Sequence, residues 1–283
     1  MCSQNGEVDR VSPRVQELLN HVARTPVRIE ILSILADETL DLRDLSDRLG
    51  SPRTTIRHNL QEMIEANLIE ETIDNEFRST PLGSVVLDAL TAFSDHVETA
   101  LKLEPLFSCV PPSEFDFDIR SLSAVTVTEV TRAKPYAPHQ RLTALIEDAT
   151  SVSGYIPTNP HLVNRTDAPI FQPADSDISL YVPEDIADTL QAEHETKLKK
   201  LVQRGPLDIG VLAGAKIDYG VALIDDRVVI LGLDEHDKPH VLVETTDETV
   251  QKWASKRIDS LRTRASSIVE TDNREMSISH GQD

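Results

Sequence analysis

Residues 51–70 read SPRTTIRHNLQEMIEANLIE. Ser51 is placed to cap a helix by accepting a hydrogen bond from an orphan backbone N–H. Pro52 suits the first helical position, where no donor is needed. Ile56, Leu60, Met63 and Ile64 then recur at helical spacing and predict a buried stripe. The opposite side carries Thr54, Thr55, Arg57, His58 and Gln61, with Arg53 near the start. No acid occurs between Ser51 and Gln61, although the chain has a formal net charge of -20. A short helix with an apolar back and a cationic, hydrogen-bonding front is what the DNA major groove accepts.

The flanking residues extend this reading. Arg28 to Ala36 (RIEILSILA) predicts an amphipathic helix. Leu42 to Leu49 (LRDLSDRL) predicts a second short one, with Leu42, Leu45 and Leu49 at i, i+3 and i+7. Gly50 supplies the sharp break of a helix-turn-helix. After Glu70, the stretch ETIDNEFRST predicts two short polar strands about the turn dipeptide Asp74-Asn75. That is the position of a wing, and Arg78 on its return strand is placed to reach a phosphate or the minor groove. From about Thr25 to Gly83 the chain resembles the winged helix-turn-helix of the ArsR and MarR superfamily. The matching elements are the apolar first helix, LRDLSDRLG, residues 51–70 and the closing STPLG. The resemblance implies double-stranded DNA as a partner; a winged helix that binds only proteins is the alternative.

A length of 283 residues suggests two domains. Arginine outnumbers lysine about two to one, large aromatics are scarce, and the acids are spread over the whole chain. This is the composition of a protein kept soluble in concentrated salt, and it implies a halophilic archaeal source; an acidic mesophilic protein is the alternative. In molar salt the counterion release that drives non-specific DNA binding is lost, so base-edge contacts and dimer geometry must carry more of the affinity. The two cysteines, Cys2 and Cys109, are far apart and form no CxxC motif, which excludes a disulfide framework. With no run of about 18 apolar residues and no signal-peptide pattern, a cytoplasmic protein without membrane contact is expected.

The expected architecture is an α+β winged helix-turn-helix N-terminal domain joined by a helix to a mixed α/β C-terminal domain. Residues 1–10 read as disordered, and Val11 to Arg24 as a leading helix. The winged-helix domain spans 11–83. A linker helix and Pro-rich connector span 84–117, with Pro105, Pro111 and Pro112 as punctuation. On that helix Val86, Leu90, Phe93 and Val97 step by four, three and four. This is the spacing of a helix that pairs with its own copy, and it predicts a homodimer; packing back on its own domain is the alternative.

An α/β sensor or effector domain is expected over 118–268, and a mobile tail over 269–283. Strands are predicted at Ser123–Val130, Ser151–Ile156, Ile178–Val182, Leu207–Leu212, Tyr219–Ile224, Arg227–Gly232 and His240–Glu244. Asp225-Asp226 makes a tight turn. Helices are predicted at Arg141–Ala149 and Glu184–Arg204. The second has Lys197, Lys199, Lys200 and Arg204 at its end, where they complement its dipole. Thr245 with Glu248 predicts a capping box for a last helix through Val250, Trp253, Ala254, Ile258 and Leu261. From about Asp118 to Ser266 this domain resembles the archaeal methanogenesis-regulator, FilR-type, effector domain. The matching segments are AKPYAP, DYGVALIDDRVVILGLDEHDKPHVLVE and the Trp253 helix ending near SLRTRA. The resemblance implies a transcriptional regulator with a sensing or oligomerisation module, and it supplies no ligand.

Catalytic chemistry finds little support. The strand and helix order is loosely similar to the phospholipase D fold, and His236-x-Lys238 begins that family's motif. The acid five residues after the lysine is absent, because Val243 stands there. Without it the imidazole lacks the orienting partner that nucleophilic chemistry requires. The stretch DEHDKPH is therefore read as a polar hairpin turn rather than as a catalytic or metal site. No catalytic residue, metal ligand or cofactor is expected. Tyr136, His139 and Arg141 either line a cleft for a small-molecule effector or simply follow a turn shaped by Pro135 and Pro138.

Overall fold

The computed structural model describes residues 11–158, 177–192, 207–214 and 217–267. The chain divides into two compact units, 1–95 and 96–283. The proposed disordered start, the basic end of the Glu184 helix, the mobile tail and Cys2 lie outside the described residues.

In the first unit, α1 (Pro13–Ala23) begins with Pro13 and is capped by Ser12, whose Oγ accepts from the Val15 amide at 3.4 Å. Next come α2 (Pro26–Asp37), β1 (Leu40–Asp41) and α3 (Leu42–Leu49). Asp41 caps α3, and the helix ends at Gly50, whose φ of 60° is a left-handed stop that glycine adopts without strain. The helix of residues 51–70 is α4 (Arg53–Glu65). Its start corrects the sequence reading: Pro52 occupies the cap position, and the Ser51 hydroxyl turns back to the Leu49 carbonyl at 3.5 Å instead of capping.

The wing strands β2 (Ile69–Glu71) and β3 (Glu76–Ser79) pair antiparallel, and β1 joins them in the order β1-β3-β2. Helix α5 (Pro81–Lys102) follows. Ile31, Leu32, Leu45, Ile56, Met63 and Leu68 form the fully buried centre of this unit.

The second unit is built on one eight-stranded mixed sheet. Its strands are β4 (Thr126–Glu129), β5 (Ser151–Tyr155), β6 (Asp177–Pro183), β7 (Leu207–Leu212), β8 (Tyr219–Ile224), β9 (Arg227–Leu233), β10 (Pro239–Thr245) and β11 (Ser266–Ser267). The spatial order is β11-β7-β6-β5-β8-β9-β10-β4. β5, β6 and β7 run parallel to one another, and every other pairing is antiparallel. Alternate residues of β8, β9 and β10 feed two separate apolar clusters, so both faces of the sheet are covered. One cluster includes α7 (Ala137–Glu147) and a helix, α8, described over 184–192. The other includes α9 (Glu248–Arg262).

Residues 103–125 differ from their reading as connector and domain start. Leu103, Leu106, Val110, Leu122 and Val125 are buried in the α9-side core. Phe115 and Phe117 stack around Trp253, with ring centroids 5.5 and 5.4 Å away. The prolines mark an irregular covering layer that includes the short helix α6 (Glu104–Phe107). Gly232 permits its close approach, since a Cβ there would stand 2.9 Å from the Cys109 Cβ and 2.7 Å from Val241.

Two local readings hold in outline and change in detail. The Asp225-Asp226 turn joins β8 to β9, and its Asp225 carboxylate also accepts from the Thr150 and Ser151 amides at 3.0 and 2.9 Å. The cap of α9 is Asp247, which accepts from Thr249 and Val250, while Thr245 Oγ1 instead accepts from the Asp247 amide.

At the end of β10 lies Glu244, only 2% exposed. Arg141 of α7 grips it with two hydrogen bonds of 2.8 Å, and Arg227 of β9 adds a third at 2.8 Å. These guanidiniums hold the Glu244 carboxyl below the usual carboxylate range against the opposing cost of burial. Glu244→Gln should therefore cost about 2 kcal/mol at neutral pH, less than for a fully dry pair because both arginines reach water. A depressed carboxyl stabilises the fold above its unfolded pKa, near 4.3, and that contribution is lost as pH falls through the lower folded value. Denaturant titrations across pH should show the wild-type advantage over Glu244→Gln shrinking below about pH 4.

Candidate nucleic-acid interface

Helix α4 turns Ile56, Leu60 and Met63 inward and leaves Arg53, Thr54, Thr55, Arg57, His58 and Gln61 exposed on the other side. All six anticipated groove-facing residues are thus at the surface of one helix. Arg53 and Arg57 have no ion-pair partner among the described residues. Gln61 donates to Glu65 at 3.2 Å, and His58 Nε2 lies 3.7 Å from Glu62 Oε1.

The back of α4 is held by a side chain that the sequence reading passed over. Arg28 of α2 is 2% exposed. Its Nε donates to Asn59 Oδ1 at 2.9 Å, its Nη1 donates to the His21 carbonyl at 2.6 Å, and its Nη2 pairs with Glu62. Burial pushes the His21 imidazole below its ordinary value, and the positive charges of Arg28 and Arg24 push it further. A signal was present. Arg28 stands three, four and seven residues before Ile31, Leu32 and Leu35, on the apolar side of α2, so the periodicity that located the core also located a buried cation.

The wing departs from expectation. Arg78 is exposed, but its Nε donates to Glu70 Oε1 at 2.7 Å across the β2–β3 pair, so it is held by a carboxylate rather than free for a phosphate. Glu71, Asp74 and Glu76 add negative charge to the same small hairpin, and Ile73 at its tip is fully exposed. Asn75 adopts φ 57° in the anticipated turn.

The four residues of the α5 seam divide. Val86 and Leu90 are half-buried against the winged-helix core, whereas Phe93 and Val97 are 68% and 37% exposed. The spacing of four and three thus covers two environments, because the first half of the helix packs on its own domain. The suggested effector residues are also split. Tyr136 is exposed just before α7, His139 lies in its first turn, and Arg141 is committed to Glu244. In the DEHDKPH turn, the Asp234 carboxylate accepts from the amides of His236 and Lys238, both at 2.9 Å, as expected for a polar hairpin. Val243, in place of the phospholipase D acid, is buried in the sheet core. No helix among the described residues is long and apolar enough to cross a membrane.

Two family models match this chain. The N-terminal domain of HVO_A0261 matches residues 16–102, and the middle domain of the methanogenesis regulatory protein FilR1 matches residues 135–264. A curated relative, the methanogenesis regulatory protein FilR1 of Methanothrix harundinacea, is 28% identical over 227 residues, covering 76% of this chain and 49% of that protein. The chain thus spans about half the length of the curated relative it matches. The match to a methanogenesis regulatory protein rests on the family model over the second unit and on this one relative. Among solved structures, TrmBL2, an archaeal chromatin protein, is 15% identical with a TM-score of 0.40, covering 89% of this chain and 98% of its own. NucT from Helicobacter pylori is 16% identical with a TM-score of 0.39, covering 50% of this chain and 98% of its own. At such scores neither structure bears on function.

Proposed function

We propose that this protein is a sequence-specific, DNA-binding transcriptional regulator whose α4 enters the major groove. The observation that carries the reading is the exposed front of α4, with two unpaired arginines and no acid before Glu62, presented by a winged helix in an otherwise acidic chain. The matches to archaeal regulatory proteins support it. Arg53, Thr54, Thr55, Arg57, His58 and Gln61 read base edges in this proposal. Arg78 joins that set as a phosphate or minor-groove contact once its exposed pairing with Glu70 is exchanged for DNA. The sheet domain serves as a sensing or oligomerisation module rather than as an enzyme, consistent with the missing acid at Val243. A small-molecule effector is its proposed ligand, with Tyr136 and His139 as the exposed and half-exposed residues left from the suggested cleft.

The acidic wing favours a second reading, a winged helix that docks on a basic protein and ignores DNA. The two part at Arg57. An arginine bidentate to guanine gives about 1–3 kcal/mol of discrimination, so Arg57→Ala should weaken the operator complex roughly tenfold or more while the fold persists. Electrophoretic mobility shifts beside circular dichroism check this. Unchanged binding by folded Arg57→Ala would remove α4 from the groove.

The proposed setting is a halophilic archaeal cytoplasm. With a net charge of -20, unscreened self-repulsion opposes folding in dilute buffer. Ellipticity should rise along a potassium chloride series to a folded plateau, and specific DNA binding should persist into salt that dissociates ordinary basic repressors. Full folding in dilute buffer with no response to salt would count against this setting.

The proposed assembly is a two-fold dimer that covers the exposed part of α5. Phe93 and Val97 are the informative probes, because Leu90→Glu would also place a charge against the winged-helix core. Phe93→Glu should convert the dimer to a folded monomer and sharply lower DNA affinity. Sedimentation in high salt reads the outcome. A variant that stays dimeric would move the interface to the sheet domain.

A further inference from the structure

Arg28 is the single buried charged side chain of the first unit among the described residues. Burying a guanidinium is costly unless its donors and charge are met. Here the three nitrogens are met by three different groups, and two of them, Asn59 and Glu62, sit one turn apart on the back of α4. Asn59 is itself fixed, since its Nδ2 donates to the Thr55 carbonyl at 2.9 Å and leaves the amide oxygen for Arg28. Glu62 has a double aspect. One oxygen faces Arg28 in the core, and the other lies 3.7 Å from His58, whose side chain is 73% exposed on the groove-facing side.

We propose that Arg28 is a positioning residue for base readout. Through Asn59 and Glu62 it sets the roll of α4 about its own axis, and it holds the first acid of that helix toward the core instead of toward DNA. The inference rests on α4 being the recognition helix. Its physical scale is adequate. Side-chain tips stand about 5–6 Å from a helix axis, so a roll of about 20° moves them by roughly 2 Å, enough to carry a donor out of hydrogen-bond range. A freed Glu62 carboxylate would also repel the acceptor edges of guanine that suit Arg57 and accept from cytosine N4 instead, so its release changes which sequences are preferred. Lysine cannot replace the arrangement, because a single ammonium lacks the planar fork that reaches three partners in fixed directions.

The test is selection from a random-sequence duplex library in molar potassium chloride, using the full chain as wild type, Arg28→Lys and Asn59→Ala. The affinity ratio of the wild-type-enriched duplex to a scrambled duplex is then measured below each protein's melting transition. The expected result is a folded Arg28→Lys protein whose ratio falls about tenfold and whose enriched sequences shift. A purely structural arginine would lower the melting temperature and leave both the ratio and the enriched sequences as in wild type, and that result overturns the inference. Should Arg28→Lys fail to fold, Asn59→Ala removes one of the two holds on α4 with Arg28 in place. A reduced ratio supports the inference, and an unchanged one overturns it. A wild type that enriches no sequence overturns the DNA reading and this inference with it, whereas a wild type whose motif the variants share overturns only the inference.

Discussion

The winged-helix unit is organised around one buried guanidinium. Arg28 reaches the last turn of α1 through the His21 carbonyl and the back of α4 through Asn59 and Glu62, from its own position on α2. An apolar core tolerates small slips of packed helices, because its attraction is non-directional. A buried fork with three partners does not, since each lost contact leaves desolvated charge unmet. The three helices are therefore held in one register. The exposed front of α4 inherits its orientation from that constraint, as does the half-buried position of Glu62.

The second unit solves a different problem. Its sheet is apolar on both faces, so each face must be covered. Helices α7 and α8 contribute to one cluster and α9 to the other, but α9 does not suffice. Residues 103–125 complete the second layer with Leu106, Val110, Leu122 and the Phe115–Trp253 contact. Glycine at 232 is what lets this segment lie close to the sheet. At one end of β10 Glu244, the single buried acid among the described residues, ties α7 and β9 together through Arg141 and Arg227. Arg141 thus serves the fold through Glu244.

Charge is distributed with a contrast that matters for any nucleic-acid role. The wing, a usual place for phosphate contacts, carries Glu70, Glu71, Asp74 and Glu76, and its one arginine is neutralised across the strand pair. The front of α4 carries Arg53 and Arg57, which have no ion-pair partner among the described residues. In a chain of net charge -20, positive potential is then local to that helix rather than global.

How far the sequence could be read follows from the range of the interactions involved. Helical spacing identified α3, α4 and their buried faces, because each face is set by residues three and four apart. Gly50, Asp74-Asn75 and Asp225-Asp226 marked their turns, because those conformations are decided locally. The exposed side of α4 was legible for the same reason: the side of a helix opposite its apolar stripe is fixed by the stripe. What lay beyond reach depended on partners distant in the chain. Arg28 meets Glu62 from another helix, Arg78 meets Glu70 across a strand pair, and Arg141 meets Glu244 more than a hundred residues away. The proline-punctuated 103–125 segment read as connector because its local signals are those of a loop, and only its packing against Trp253 makes it core. Caps fell between the two cases. Ser51 and Thr245 have the right chemistry at the right spacing, yet Pro52 and Asp247 took their places once the backbone path fixed which residue faced the helix end. The sequence by itself determined most of the longer helices and strands and which side of each is apolar, since those depend on nearest turns and alternation, whereas the short elements β1, α6 and β11 escaped it. Only the tertiary structure decided which charged side chains remain free to meet a ligand, because that depends on whether another part of the chain has already supplied the opposite charge.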